Sequence, residues 1–175
     1  MNTDNRHIII YTIIAIVMLC LTAMPYSSAA QPRVTNLSVT QGLSNDFVND
    51  MAVDGDGFVW VATRNGLNRI TAYGIMAYNT RNSSILNNFV NAVCYDPATN
   101  SIWAATQGGV SIVDCRTSKI KNITSADGLA ENSIINVTKC NDGGMWIVCQ
   151  SNGVQHYDTR LNRFSPEYAW LTKAT

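Results

Sequence analysis

Residues 42–70 read GLSNDFVNDMAVDGDGFVWVATRNGLNRI. Phe47–Val53 alternates with period two, placing Val48, Asp50 and Ala52 on one side and Phe47, Asn49, Met51 and Val53 on the other. That is the pattern of a strand rather than of a helical stripe. Asp54-Gly55-Asp56-Gly57 then interrupts it with residues that bond their own backbone or tolerate positive φ, the chemistry of a hairpin turn. A second apolar strand, Phe58–Thr63, carries Trp60; a third begins at Gly66, and a fourth is predicted near Met76–Asn79. Four short strands separated by turns make an antiparallel meander.

The unit recurs on both sides of Trp103, since Trp60, Trp103 and Trp146 are spaced by 43 residues each. Phe47-Val48-Asn49 aligns with Phe89-Val90-Asn91 and with Ile134-Ile135-Asn136. The turn clusters at 54–57, 96–100 and 141–144 precede the Trp strands, and Gly66, Gly109 and Gly153 open the third strands. Fourth strands fall near Lys119–Thr124 and Arg163–Ser165. Gly42-Leu43-Ser44 and Gly128-Leu129-Ala130 open two repeats, where the second has Ile85-Leu86-Asn87. A period near 43 with four strands per unit is the arithmetic of a propeller blade. The expected architecture is all-β: an incomplete β-propeller of about three four-stranded antiparallel blades, with repeats at about 42–82, 83–125 and 126–167 inside a partial propeller spanning 31–167 and a tail at 168–175. A Trp at the same place in every repeat is what blade-to-blade packing requires, whereas a ligand platform need occur only once. Trp60, Trp103 and Trp146 are therefore read as the repeat core.

Composition narrows the function. Twelve basic residues balance twelve acidic ones, and only 14% of the 175 residues are charged. This neutrality argues against a nucleic-acid partner, which needs a basic stripe. Residues 1–30 read as a targeting segment: a short n-region ending at Arg6-His7, an apolar run from Ile8 to Met24, then Pro25 and small residues. Ser28 and Ala30 fit a signal-peptidase site, so cleavage is expected between Ala30 and Gln31 and export to the periplasm follows. The alternative is an uncleaved inner-membrane anchor at 8–24, a run at the lower limit for spanning. Four cysteines follow: Cys94, Cys115, Cys140 and Cys149. An exported chain permits disulfides among them, with three possible connectivities. Cys94 and Cys140, which lie in apolar strand patterns, are expected to be small buried hydrophobes.

Catalytic chemistry is scarce. His156 is the one histidine beyond the export segment, and from sequence no serine–histidine–acid set is built around it. Asp54-Gly55-Asp56-Gly57 resembles the start of a calcium loop, but Asn65 stands where the loop's distant acid is needed, so a turn is expected. No metal site, cofactor or catalytic residue is expected, and the ligand-binding residues are not readable.

The stretch 42–70 resembles the two-component regulator propeller repeat, on Gly42, Leu43, Asn49, Asp56, Gly57, Trp60, Thr63, Gly66, Leu67 and Arg69. The second repeat keeps Asn91, Trp103, Thr106, Gly108 and Gly109. The third keeps Gly128, Leu129, Asn136, Gly143, Gly144, Trp146 and Gly153, with Cys149 in place of the threonine. The resemblance implies the periplasmic sensor region of a hybrid histidine kinase, in which larger propellers precede a β-sandwich, a transmembrane helix and a kinase. It further implies an oligosaccharide as ligand, and further blades and kinase parts as partners. On this reading the chain, ending after three repeats, is a non-catalytic amino-terminal fragment of such a sensor. The alternatives are a stand-alone carbohydrate- or protein-binding module, a propeller enzyme fragment, or an inactive truncated product.

Overall fold

The computed structural model describes residues 36–166. The export segment 1–30, its Ala30–Gln31 junction and the tail 168–175 lie outside the described residues.

Twelve strands form three four-stranded antiparallel sheets, each a simple meander. Blade 1 comprises β1 (Val48–Val53), β2 (Val59–Thr63), β3 (Gly66–Thr71) and β4 (Gly74–Tyr78). Blade 2 comprises β5 (Val90–Asp96), β6 (Ser101–Thr106), β7 (Gly109–Asp114) and β8 (Ile120–Ile123). Blade 3 comprises β9 (Ile134–Lys139), β10 (Met145–Cys149), β11 (Val154–Asp158) and β12 (Arg163–Phe164). These are propeller blades, three of them among the described residues, and a closed ring typically has four to eight. The only helical pieces among those residues are two single turns, Val39–Gln41 and Ser125–Asp127, and none is long and apolar enough to cross a membrane.

Local chemistry explains the meander. Asp54 Oδ1 accepts from the Asp56 and Phe58 amides at 3.1 and 2.9 Å, which closes the β1–β2 turn with Gly57 at φ +83°. In blade 2 Asp96 does the same through the Ala98 amide and the Thr99 hydroxyl. The β2–β3 and β6–β7 turns share a second device. Thr63 Oγ1 donates to the Gly66 carbonyl and Thr106 Oγ1 to that of Gly109, both at 2.8 Å. Blade 3 has Cys149 there and one more residue in the turn, and Glu131 Oε2 accepts from the Ser151 and Asn152 amides instead.

Each first strand carries a bulge one residue in, between Val48 and Asp50, Val90 and Ala92, and Ile134 and Asn136. The register makes Val48, Val90 and Ile134 equivalent, since they face Thr63, Thr106 and Cys149. This corrects the sequence alignment of the third repeat. Ile135, not Asn136, occupies the place of Asn49 and Asn91, and Asn136 sits opposite Val148. Likewise Ile85 rather than Leu86 takes the buried place of Leu43 and Leu129.

The core lies between blades, not within them. One cluster joins Trp60, Leu67 and Tyr78 of blade 1 to Val93, Ile102 and Val113 of blade 2. The other joins Trp103, Ala105 and Val110 of blade 2 to Val137, Met145, Ile147 and Tyr157 of blade 3. A sheet with two apolar faces must bury each against a neighbour, so stability resides at the seams. The thiols also depart from expectation: the buried cysteines are Cys115 and Cys149, whereas Cys94 and Cys140 are half-buried, and all four are free. Burial raises the Cys115 and Cys149 thiols to about 11.

Candidate functional site

The three tryptophans occupy one register position in their blades, opposite Ala52, Cys94 and Thr138 on the first strands. Their surroundings differ. Trp60 is wholly buried, stacks on Tyr78 at 5.6 Å and donates its indole N–H to Asp54 Oδ2 at 2.8 Å. Arg69 Nη2 lies 3.5 Å from the same oxygen, with its guanidinium over the Phe58 and Trp60 rings. Trp103 is 2% exposed and meets Tyr157 edge-on at 5.4 Å, but among the described residues nothing accepts from its indole N–H. Ile112 holds the position that Arg69 holds in blade 1 and offers no charge. Trp146 is only half-buried and meets the His156 ring edge-on at 4.8 Å.

The blade 2–blade 3 seam is also where a groove opens. A cavity of about 290 Å³ has Trp103, Ile112 and Ile120 as its apolar lining and Asp114, Lys119 and Asn162 among its polar residues. The Lys121 ammonium reaches across the seam to Asn162 Oδ1 at 3.1 Å. An apolar floor with a few convergent donors and acceptors is the usual form of a small-molecule site. The seam beside it is fastened by an ion pair between Lys139 of β9 and Asp96 of β5. Burial pushes the Asp96 carboxyl up, but hydrogen bonds from Lys139, Thr99 and the Ala98 amide outweigh it and hold the group below the usual carboxylate range. The same lysine donates to the Gly143 carbonyl at 2.9 Å.

A second cluster lies at the turn of blade 3. His156 Nδ1 is 2.7 Å from Ser165 Oγ, and Nε2 is 3.2 Å from Asp142 Oδ2. The fold thus does bring a serine, the histidine and an acid together, which the sequence reading did not foresee. Ser165 is carried there by the return of β12 onto β11, its amide bonded to the His156 carbonyl at 2.9 Å. The Cys140, Asp142 and His156 ligand atoms all lie within 4.8 Å of one another. Of the groove residues only Trp103 stood out in sequence, because the others come from the outer strands and turns of two blades. Asp54-Gly55-Asp56-Gly57 forms a turn whose first carboxylate is engaged by Trp60 and Arg69.

Comparison with known proteins gives the repeat its name. Residues 42–65 match the family described as Two component regulator propeller. The fold resembles the extracellular domain of a hybrid two-component system of B. thetaiotaomicron, with 28% identity and a TM-score of 0.68 over 75% of this chain and 19% of that one. A second such ectodomain from the same organism shares 22% identity, with a TM-score of 0.59 over 70% of this chain and 18% of that one. Virginiamycin B lyase from Staphylococcus aureus shares the fold at 16% identity, a TM-score of 0.53, and coverage of 67% of this chain and 40% of the lyase. No curated protein matches the chain. The chain spans about a fifth of the length of the two ectodomains. The matched residues, 42–65, cover the opening turn and first two strands of blade 1.

Proposed function

We propose that the chain forms blades of a periplasmic propeller that senses a small ligand for a two-component regulator of the hybrid histidine kinase type, and that the ligand is an oligosaccharide released by glycan breakdown. The observation that carries this reading is the repeat match at 42–65 together with a 28% identical ectodomain fold over three quarters of the chain. The seam groove supports it with an apolar floor and a rim of ammonium, carboxylate and amide groups suited to sugar hydroxyls. This reading takes the chain itself as non-catalytic, and it is supported by His156 being 4% exposed and by a groove lined by other residues. Kinase and further blades belong to other parts of the sensor. Residues 1–30 direct export, with cleavage after Ala30.

Isothermal titration of the exported chain against a panel of glycan-derived oligosaccharides tests the ligand. Binding that is lost in Lys121→Ala and Asn162→Ala supports the reading. If no oligosaccharide binds, the glycan assignment fails; a shortened or unsaturated sugar after incubation sinks the non-catalytic one. Mass spectrometry of the exported protein checks the junction. A mature form starting at Gln31 is expected, and a retained 8–24 run means an inner-membrane anchor instead.

A further inference from the structure

The third blade departs from the repeat at three places that the register brings together. Asp54 of blade 1 corresponds to Asp96 in blade 2 and to Cys140 in blade 3, each following the equivalent residues Val53, Tyr95 and Lys139 that pair with Val59, Ile102 and Met145. Arg69, opposite Trp60, corresponds to His156, opposite Trp146. Phe58, which lies under the Arg69 guanidinium, corresponds to Gly144. The ion pair of blade 1 is thus replaced as a unit by a thiol and an imidazole. The glycine makes room for the change, since a Cβ on Gly144 would stand 2.4 Å from His156 Nε2. Asp142 keeps the place of Asp56, which adds a carboxylate to the same spot.

We propose that Cys140, Asp142 and His156 form a binding site for a divalent transition metal, zinc by preference. Thiolate, imidazole and carboxylate are the three ligand types that zinc takes, and three protein ligands leave one position open in a tetrahedral site. Their ligand atoms lie within 4.8 Å of one another, near the separations that a shared ion of that geometry needs. The ring is oriented for it: the Ser165 hydroxyl at Nδ1 turns Nε2 toward the carboxylate, the outer-shell arrangement that metal-bound histidines use. Asp142 Oδ1 is held by the Gly144 amide at 2.8 Å, leaving Oδ2 to face Nε2. His156 is buried, Cys140 half-buried and Asp142 exposed, so an ion reaches the site from solvent through the turn. Two cations lie nearby: the Arg160 guanidinium is spent on the Asp142 backbone carbonyl at 3.1 Å, and the Lys139 ammonium on Asp96 and the Gly143 carbonyl. On binding, the Cys140 thiol proton and any proton on the imidazole pass to solvent, and the bound ion takes their place.

Cobalt(II) is the probe, added to the whole exported chain. A thiolate-to-cobalt charge-transfer band saturating at one equivalent, and displaced by zinc, is expected. Cys140→Ser abolishes the band, whereas Cys94→Ser leaves it unchanged. Asp142→Asn keeps an acceptor for the Gly144 amide, so the turn survives while the carboxylate ligand is lost. That variant, native by near-ultraviolet circular dichroism, weakens binding at least tenfold, and the positioning change Ser165→Ala weakens it by about tenfold. Zinc also protects Cys140 from alkylation while Cys94 reacts. A missing band, a band that persists in Cys140→Ser, or equal alkylation of Cys140 with and without zinc overturns the site.

Discussion

The Asn49 side-chain amide, at the bulge of β1, donates to the Val90 carbonyl of β5 at 2.7 Å. Asn91 repeats the bond to the Ile134 carbonyl, also at 2.7 Å. The bulge matters because it releases the side chain from the alternation of its own strand and turns it to the next blade. At the first seam a second bond reinforces it, Val93 N–H to Asp50 Oδ2 at 2.9 Å, whereas Ala92 holds that place at the second.

Replacing Asn91 by alanine leaves a buried carbonyl without its donor, because Ile134 is wholly buried. The expected cost is about 1–3 kcal/mol in urea denaturation. Asn91→Asp is expected to cost more, since a carboxylate cannot donate and would face the carbonyl. A loss below about 0.5 kcal/mol in both variants would mean that the seam is held by its apolar cluster alone.

The tryptophans allow a controlled comparison. Trp60→Phe removes a donor from a buried carboxylate, a bond worth about 1.5–3 kcal/mol. Trp103→Phe removes an indole N–H that has no acceptor among the described residues, which relieves a penalty rather than incurring one. Trp60→Phe should therefore lower stability by at least about 2 kcal/mol more than Trp103→Phe. Trp103→Ala, which empties the second core, should cost about 3–5 kcal/mol. Equal effects of the two phenylalanine variants would show that Asp54 does not depend on Trp60.

These differences explain what the sequence could and could not disclose. The Trp spacing, the aspartate turns and the Thr63 and Thr106 turn hydroxyls are local and repeat in letters, so blade number and strand order were readable. The bulge was not, because it slides one strand against its partner without changing composition. Asn136 therefore looked like the equivalent of Asn49 when Ile135 holds that place. Seam partners such as Lys139 with Asp96 lie about one blade apart in sequence and become neighbours only when sheets stack. The Cys140, Asp142 and His156 cluster was hidden for the same reason: its histidine comes from β11, and a C-x-D pair alone matches no spacing rule.

The Lys139–Asp96 pair makes the second seam sensitive to acid. The Asp96 carboxyl is held below its ordinary value in the folded state, so its contribution is fully present above the unfolded value of about 3.9 and fades as pH falls through the folded one. Lys139→Met strands a carboxylate whose side chain is fully buried, at an expected cost of about 3 kcal/mol at neutral pH. The difference from wild type should shrink as the pH of denaturation is lowered from neutral through the carboxylate range, because the stranded carboxyl of the variant takes up its proton before the paired one does. A difference that is constant from neutral to acidic pH would assign the loss to the Gly143 contact of Lys139 instead.

Register equivalence also predicts which apolar residues tolerate a charge. Met51, Val93 and Val137 hold one position in the three first strands, opposite Val61, Ala104 and Ile147. Val93 and Val137 are 5% and 3% exposed, packed on the blade before them, while Met51 is 65% exposed. Phe47, Val48 and Val53 are exposed on the same strand or just ahead of it, so the first blade presents an apolar edge strand to solvent. Met51→Lys should leave the unfolding midpoint within about 0.5 kcal/mol of wild type. It should also lower self-association of the exported chain in sedimentation velocity, because a lysine on an edge opposes pairing with another chain. Val93→Lys places an ammonium inside the first seam and should cost more than about 4 kcal/mol or prevent folding. If Met51→Lys were as damaging as Val93→Lys, the β1 face would have to be covered in the folded protein, and the association of the chain would need another surface.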